Sequence, residues 1–410
     1  MAFLNRRSAP NIITLVLVAG LGAASLNIFL PSMPGIAAHF GVPYATVQLL
    51  VSAYLAGTAI MQIIIGPLSD RYGRRPVLLA CFGVFMLGTA ICATADSFAM
   101  LMFGRMVQTV IVSGFALSRA IVRDMVGTEE AASMIGYVTM GMTLVPMIMP
   151  IVGGYLEEWF GWASTFQFLF LTAAMVLAVV WFDLGETNHT KSGSFSAQFK
   201  AYPELLRSRR FWGYTATAAF ASGAFFAFLG GGPYVATVIL GMEPSDVGKS
   251  FLFIALGYMS GNFISGRYAK RVGITPMMFV GSVVACFGLL LSLALFLVGF
   301  SHPMTFFGPI FFVGFGNGMT LPSANAGMVS VRPHLAGSAS GLGGASMIGG
   351  GAALSVIAGL LLNPESGVYP LLLVMLASCV CGVLATLYVR YVDAQVAREA
   401  AQKKVAEATL

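Results

Sequence analysis

The chain has 410 residues, 58% of them hydrophobic and 9% charged, with a formal net charge of +6. Soluble domains carry about 25% charged residues, so this composition excludes a soluble globule; at roughly 20 apolar residues per crossing it leaves room for about twelve membrane helices. Nor is the positive charge a nucleic-acid footprint, since it collects on alternate connections between apolar runs.

In chain order the apolar runs predict spans over 11–31, 45–68, 77–95, 98–121, 131–154 and 163–184, then over 211–232, 247–267, 275–299, 304–327, 339–362 and 368–391. Most connections are short. The exception, 185–210, is polar and basic, contains Pro203 and reads as a cytoplasmic linker. The plan is an all-α integral membrane protein with a six-helix bundle over 1–184, the linker over 185–210, a second six-helix bundle over 211–391 and a cytoplasmic tail over 392–410. No polar mature domain follows the first span, so it reads as a membrane helix and not as a cleavable signal.

The basic residues of the two termini, of 71–75, 119–123, 191–210, 267–271, 332 and 390–404 fall on one side of this plan, 20 of the 22 Lys and Arg. Lys249 falls on the other side and Arg105 within a span. By the positive-inside rule both termini are cytoplasmic. Cys81, Cys92, Cys286, Cys379 and Cys381 all sit in apolar runs. Cys379 and Cys381 are two apart, on different helix faces, so the thiols read as small packing residues and no metal site is expected. No GxxxxGK[ST], HExxH or GxSxG string occurs, which argues against an ATP-driven pump or an intramembrane hydrolase. No enzyme and no cofactor is expected.

Between the second and third spans the chain reads GPLSDRYGRR from Gly66 to Arg75. Asp70, Arg71, Arg74 and Arg75 do not belong in hydrocarbon, so a tight loop at a membrane face is expected. A degraded copy follows 196 residues later (265 − 69): Ser69–Arg75 aligns with Ser265–Arg271, with Gly266 in the place of Asp70. A repeated loop marks a transporter built from two similar halves. Topology alone accounts for the arginines; Asp70 opposes that bias, and is placed to bond Arg71 or Arg74 or to face a helix N-terminus.

Arg105 is the one basic residue well inside a span. It needs either carbonyl and polar partners, a structural role, or a wet cavity whose charge it tunes. All 16 acids fall near ends, loops or tails, with Glu157 and Glu158 among the external ones, so none is a mid-membrane proton carrier. His39, His302 and His334 read as loop residues. Pro146, Pro150, Gly153 and Gly154 mark a deformable fifth span, and Gly341, Gly343, Gly344 and Gly349–Gly351 a closely packed eleventh. An amphipathic ligand needs aromatic and methionine walls with a few hydrogen-bonding groups. Tyr54, Gln62, Tyr137, Met142, Phe220, Phe225, Phe228, Tyr258, Asn262, Asn317 and Asn325 are candidates, each also explicable singly by packing or lipid contact.

Gly66–Arg75 followed by Pro76 resembles the loop between helices two and three of the major facilitator superfamily, and Pro150-Ile-Val-Gly153-Gly154 resembles the end of its antiporter motif. Arg119–Asp124, Gly316–Pro322, Val331–Pro333 and Leu335–Gly341 together resemble the Bcr/CflA branch of drug:proton antiporters, over nearly the whole chain. The resemblance implies the major facilitator fold, 12 transmembrane helices in two pseudo-symmetric six-helix bundles. It further implies a monomer in a bacterial inner membrane that exports phenicol- or bicyclomycin-like compounds by alternating access in exchange for protons. Arg105 matches the branch's fourth-helix arginine, which implies a cavity role. Gly66, Asp70, Arg71, Gly73, Arg74 and Arg75 match a gating latch that brings Asp70 near the start of the eleventh span in the outward-open state; Pro150, Gly153 and Gly154 are further gating positions. The expected partners are a small-molecule substrate, protons and the lipid bilayer, with no nucleic acid.

Two positions depart from the pattern. Met149 stands where the antiporter motif carries Gly, and Asn27, in Asn27-Ile-Phe-Leu-Pro31, stands where the branch carries an acid. An amide does not exchange a proton near neutral pH. Coupling then falls to a group nearer a helix end or to a histidine, or the chain is a uniporter or a metabolite exporter, for instance of an amino acid. A non-transporting membrane sensor is the rival of a different class; a sensor needs a soluble output domain, and the chain offers only a linker and a tail.

Overall fold

The computed structural model describes residues 4, 6, 10–126, 128–188, 203–332 and 335–408, and every regular element among them is helical. The long helices are α1 (Ile12–Phe40), α2 (Tyr44–Tyr72), α3 (Arg74–Ala93), α4 (Phe98–Met125), α5 (Thr128–Phe160) and α6 (Ala163–Asp183), then α7 (Arg209–Ile239), α8 (Pro244–Val272), α9 (Ile274–Leu297), α10 (Pro303–Ser330), α11 (Ala336–Leu361) and α12 (Tyr369–Val396, running on helically to Ala408). All but α5 and α8 are long and apolar enough to cross a membrane by length and composition, ten helices among the described residues. The 33 and 29 residues of α5 and α8 complete the series.

Local chemistry sets the ends and breaks. Asn11, Ser97 and Ser208 each cap a helix by accepting a backbone N–H two or three residues on. His302 and Thr305 form a reciprocal capping box at α10. Pro31 and Pro34 remove backbone donors from α1, which tightens to a 3-10 turn over Leu30–Ser32. Most of the linker, 189–202, lies outside the described residues; beyond it Glu204 pairs with Arg332 at 2.7 Å.

The helices sort into two bundles. In the first, α1 packs on α4, α5 and α6, and α3 on α4 and α6; in the second, α7 packs on α10, α11 and α12, and α8 and α9 both pack on α10. The apolar core is not evenly shared. Toward the face that carries Gly66–Arg75, the basic face, it is split into a first-bundle cluster with Leu15, Leu78, Phe82 and Leu184 and a second-bundle cluster with Phe211, Met278, Met328 and Val389. Toward the opposite face one cluster runs unbroken from Phe29, Met33 and Leu50 of the first bundle to Phe228, Val247 and Ala358 of the second.

Two sequence expectations are corrected here. Gly66–Arg75 is not a loop: α2 stays helical through Tyr72, α3 starts at Arg74, and Gly73 alone turns the chain, with φ 104°. The repeat is also in a different register. The matching turn is Gly273, φ 93°, between α8 and α9. The offset is therefore 200 (273 − 73) and not 196, so Gly66, Arg71 and Pro76 match Gly266, Arg271 and Pro276. A slip of four residues is about one helical turn, so it preserves the helix face and lets a charged string align in the wrong place. Lys270, and not Gly266, stands opposite Asp70. Thr14 and Tyr214, also 200 apart, keep the same offset: each donates its hydroxyl to a carboxylate near the basic face, Thr14 to Asp183 (2.6 Å) and Tyr214 to Asp393 (3.0 Å).

Candidate functional site

The bundles meet along two seams, α5 on α8 and α2 on α11. On α5, a Cβ at Gly153 would overlap the carbonyl oxygen of Ile28 on α1, and one at Gly154 would overlap the Pro244 carbonyl on α8. In return, a Cβ at Gly248 of α8 would strike the carbonyl of Pro150. Backbone thus lies on backbone across the seam, an approach that only glycine permits. Of the gating positions read from sequence, Pro150 and Gly154 stand at this contact, and Gly153 packs on Ile28 of α1 within its own bundle.

The second seam holds groups that sequence reasoning passed over. Tyr44 donates to the Gly230 carbonyl at 2.8 Å, and its ring lies 4.8 Å from that of Tyr234. Gln48, almost fully buried, is wedged against Gly230, Ser355 and Gly359 of the second bundle, and neither end of its amide has a hydrogen-bond partner. A polar residue at the start of an apolar run was its only signal. An unpaired buried amide is costly to hold, so Gln48 is an unfavourable polar group at this contact between the bundles.

Asn27 on α1 and Arg105 on α4 are both buried in the first bundle. Asn27 is 3% exposed; its Nδ2 donates to the Ala23 carbonyl at 2.7 Å, and its Oδ1 is buried without a partner. Arg105 is 0% exposed. Its Nη1 donates to the Ser25 carbonyl (3.1 Å), Ser25 Oγ (3.3 Å) and Gln108 Oε1 (2.8 Å), and its Nε and Nη2 donate to the Leu50 carbonyl (3.3 and 3.2 Å). The guanidinium lies between the rings of Phe29 and Tyr54, 4.3 and 4.1 Å from their centroids. Gln108 passes the connection to Thr89 on α3 at 2.8 Å. No carboxylate takes part among the described residues. Arg105 therefore ties α1, α2, α3 and α4 together inside the first bundle and lines no open cavity in this conformation.

The charged stretch at the basic face is held by its own bundle. Arg74 pairs with Asp70 (2.5 Å) and Asp124 (3.0 Å). Glu186, just past α6, accepts the backbone N–H groups of Arg74 (2.9 Å) and Arg75 (3.2 Å) and so caps α3. Arg75 donates to the Leu184 carbonyl at 2.8 Å, and Asn188 donates to the Asp70 carbonyl at 3.0 Å. Arg71 reaches the ring of its neighbour Tyr72. Sequence reasoning missed Glu186 and Asn188 because they lie more than 110 residues from the groups they bind. Among the described residues the start of α11 supplies none of these partners, and a side chain at Gly66 or Gly341 would meet open space.

The remaining candidates divide by burial. Tyr54 is committed to Arg105 and Ser25, and Phe228 stacks inside its own bundle against Phe251, Phe306 and Phe307. Asn317 is buried in α10. Met142 packs against the first-bundle cluster. Gln62, Phe220, Phe225, Tyr258 and Asn262 are half-buried and Asn325 is exposed. Gln62 keeps a buried Oε1 without a partner, facing Gly344 of α11. Tyr137 lies on α5 but its side chain is outside the described residues.

Two six-helix bundles with paired one-glycine turns, fused at one face and divided at the other, define a polytopic membrane transporter. The family model of the Major Facilitator Superfamily matches residues 15–356 and 255–409. The chain belongs to that superfamily. It is 28% identical over 382 residues to a bicyclomycin resistance protein homolog of Haemophilus influenzae, covering 91% of this chain and 94% of that one. It is also 28% identical over 367 residues to multidrug resistance protein D of Escherichia coli, covering 88% and 91%. These relatives bear out the Bcr/CflA resemblance. Among solved structures, a bacterial homolog of the human lysosomal transporter Spinster matches with TM-score 0.73 and 17% identity over 93% of this chain and 95% of that one, a likeness of fold.

Proposed function

We propose that this chain is a drug-efflux transporter that exports small amphipathic antibacterial compounds, phenicol- or bicyclomycin-like, by alternating access. The observation that carries the reading is the asymmetry of the core, continuous between bundles at one face and divided at the other. In this reading the basic face is cytoplasmic, following the positive-inside rule. The protein sits in a bacterial inner membrane as a monomer, with 1–184 and 211–391 as its moving halves, 185–210 as a cytoplasmic linker and 392–410 as a cytoplasmic tail. The outer face is closed here, and substrate enters from the cytoplasmic side. The names of the two relatives support the substrate class.

Half-buried Gln62, Met142, Phe220, Phe225 and Tyr258, with Tyr137 and Asn317, are the proposed substrate contacts. Arg105 and Tyr54 act one layer behind them, fixing α1 against α2 and α4. Proton exchange drives the cycle. The test is flux of a phenicol from proteoliposomes with and without an imposed pH gradient. Gradient-dependent flux supports antiport; drug flux that ignores the gradient favours the second reading, a uniporter or a metabolite exporter, which the non-titrating amide of Asn27 recommends. Absence of drug flux in both settings overturns the efflux reading.

A further inference from the structure

Glu157 sits near the outer end of α5, beyond the apolar stretch that ends at Gly154 and one helical turn past Gly153. The exposed Trp159 and Phe160 that follow it suit a membrane interface. Its side chain is folded against α1. The carboxyl occupies the space over Gly35, where a Cβ would collide with Oε1. It faces the buried Ser32, whose hydroxyl is the nearest polar group to it, and its Oε2 is buried with no ion-pair partner. Three residues before it, Gly154 is pressed by Pro244 and Ser245 of α8, and the Leu30–Ser32 turn packs on both α5 and α8. The carboxyl thus lies between α5 and α1, beside the turn and the glycine that carry the contact with α8.

The charged and titratable groups on the surrounding elements do not neutralise it. On its own helix these are Tyr155 and the exposed Glu158; on α1, His39, which lies against the rings of Phe40 and Trp162. At the start of α8 they are Glu243, Asp246 and Lys249, and Lys249 is bound to Asp246 at 2.8 Å with the Tyr155 ring beneath it. Among the described residues none forms an ion pair with Glu157. A half-buried carboxylate with one oxygen fully enclosed and no ion-pair partner is held more cheaply as the neutral acid.

We propose that Glu157 is a proton-binding site of the outer seam: the closed seam holds its carboxyl protonated against Ser32 and Gly35, and parting of α5 from α8 admits water and releases the proton. Burial raises the group from 4.5 to about 7, with Ser32 partly offsetting the rise. The sign follows from linkage. The closed state binds more protons than the open one between these two values. Closure is therefore fully favoured below about 4.5, weakens as pH rises and levels off above about 7. The inference rests on the proposal that the bundles part along this seam, but not on the identity of the cargo.

The test is the outer-face distance between spin labels at Phe160→Cys and Val238→Cys, in the full chain without its native cysteines, from pH 4.5 to 8.5. The closed-to-open ratio should fall roughly tenfold per pH unit below about pH 7 and then level off. Glu157→Gln should stay closed at every pH. Gly35→Ala, which displaces the carboxyl, should move the levelling point toward lower pH. A ratio indifferent to pH in the unaltered protein, or a Glu157→Gln variant that keeps its pH profile, overturns the proton site. A seam that never parts, even with a phenicol present and whatever the pH, overturns the alternating-access reading as well.

Discussion

The turn at Gly73 and the turn at Gly273 have the same backbone and opposite chemistry. In both, a single glycine with positive φ joins two long helices, and its N–H bonds the carbonyl four residues back, Ser69 at 3.0 Å and Ala269 at 2.9 Å. Around Gly73 there is a dense ionic cluster, with Arg74 between Asp70 and Asp124 and Glu186 capping both arginines. Around Gly273 the corresponding residues are Lys270, Ile274 and Thr275, and Arg267, Lys270 and Arg271 are exposed with no ion pair among the described residues. The repeated part is the reversal of the chain; the cluster belongs to the first bundle alone. A gating role that depends on Asp70 is therefore one-sided.

The sharpest way to break this comparison is to empty the cluster. Arg74→Ala leaves the Asp70 and Asp124 carboxylates facing each other, part-exposed, and should cost about 2–3 kcal/mol in detergent unfolding, below the full cost of a broken buried pair because solvent screens it. Ile274→Ala, its counterpart, should cost about 1 kcal/mol for a half-buried side chain. Glu186→Ala uncaps α3 and should cost about 1–2 kcal/mol, read as earlier melting and faster amide exchange at Arg74 and Arg75. Gly273→Ala should cost about 1 kcal/mol from its backbone conformation alone. Gly73→Ala should cost more than that, because Glu186 also fills the place of the new Cβ. Lys270→Ala and Arg271→Ala should change the melting point least, within about 0.5 kcal/mol. Equal losses from Arg74→Ala and Lys270→Ala would erase the distinction between the turns.

Much of this was legible in the chain itself. Helix number, charge asymmetry and the repeat are set by hydrocarbon's intolerance of charge, which acts locally and leaves its mark residue by residue. The register of the repeat was not legible, because a four-residue slip returns each side chain to nearly the same helix face and the charged string misleads where the glycine does not. The partners of Arg105 were also out of reach. The Leu50 carbonyl and one of the two Ser25 acceptors are backbone groups, which any sequence supplies, so a fully satisfied arginine and a cavity arginine look alike until α1 and α2 are placed around it. Glu157 read as an ordinary external acid for the same reason; Gly35 and Ser32 of α1 close over it only in the fold.

In the proposed cycle, transport requires the bundles to part at the α5–α8 seam. Tyr155 and Lys249 face each other across it, 5.4 Å from ring centroid to Nζ. The direct measurement is phenicol flux through Tyr155→Cys/Lys249→Cys protein, freed of native cysteines and joined by a short reducible bis-maleimide. Flux should vanish on linking and return on cleavage of the linker; undiminished flux through the linked protein would contradict the account.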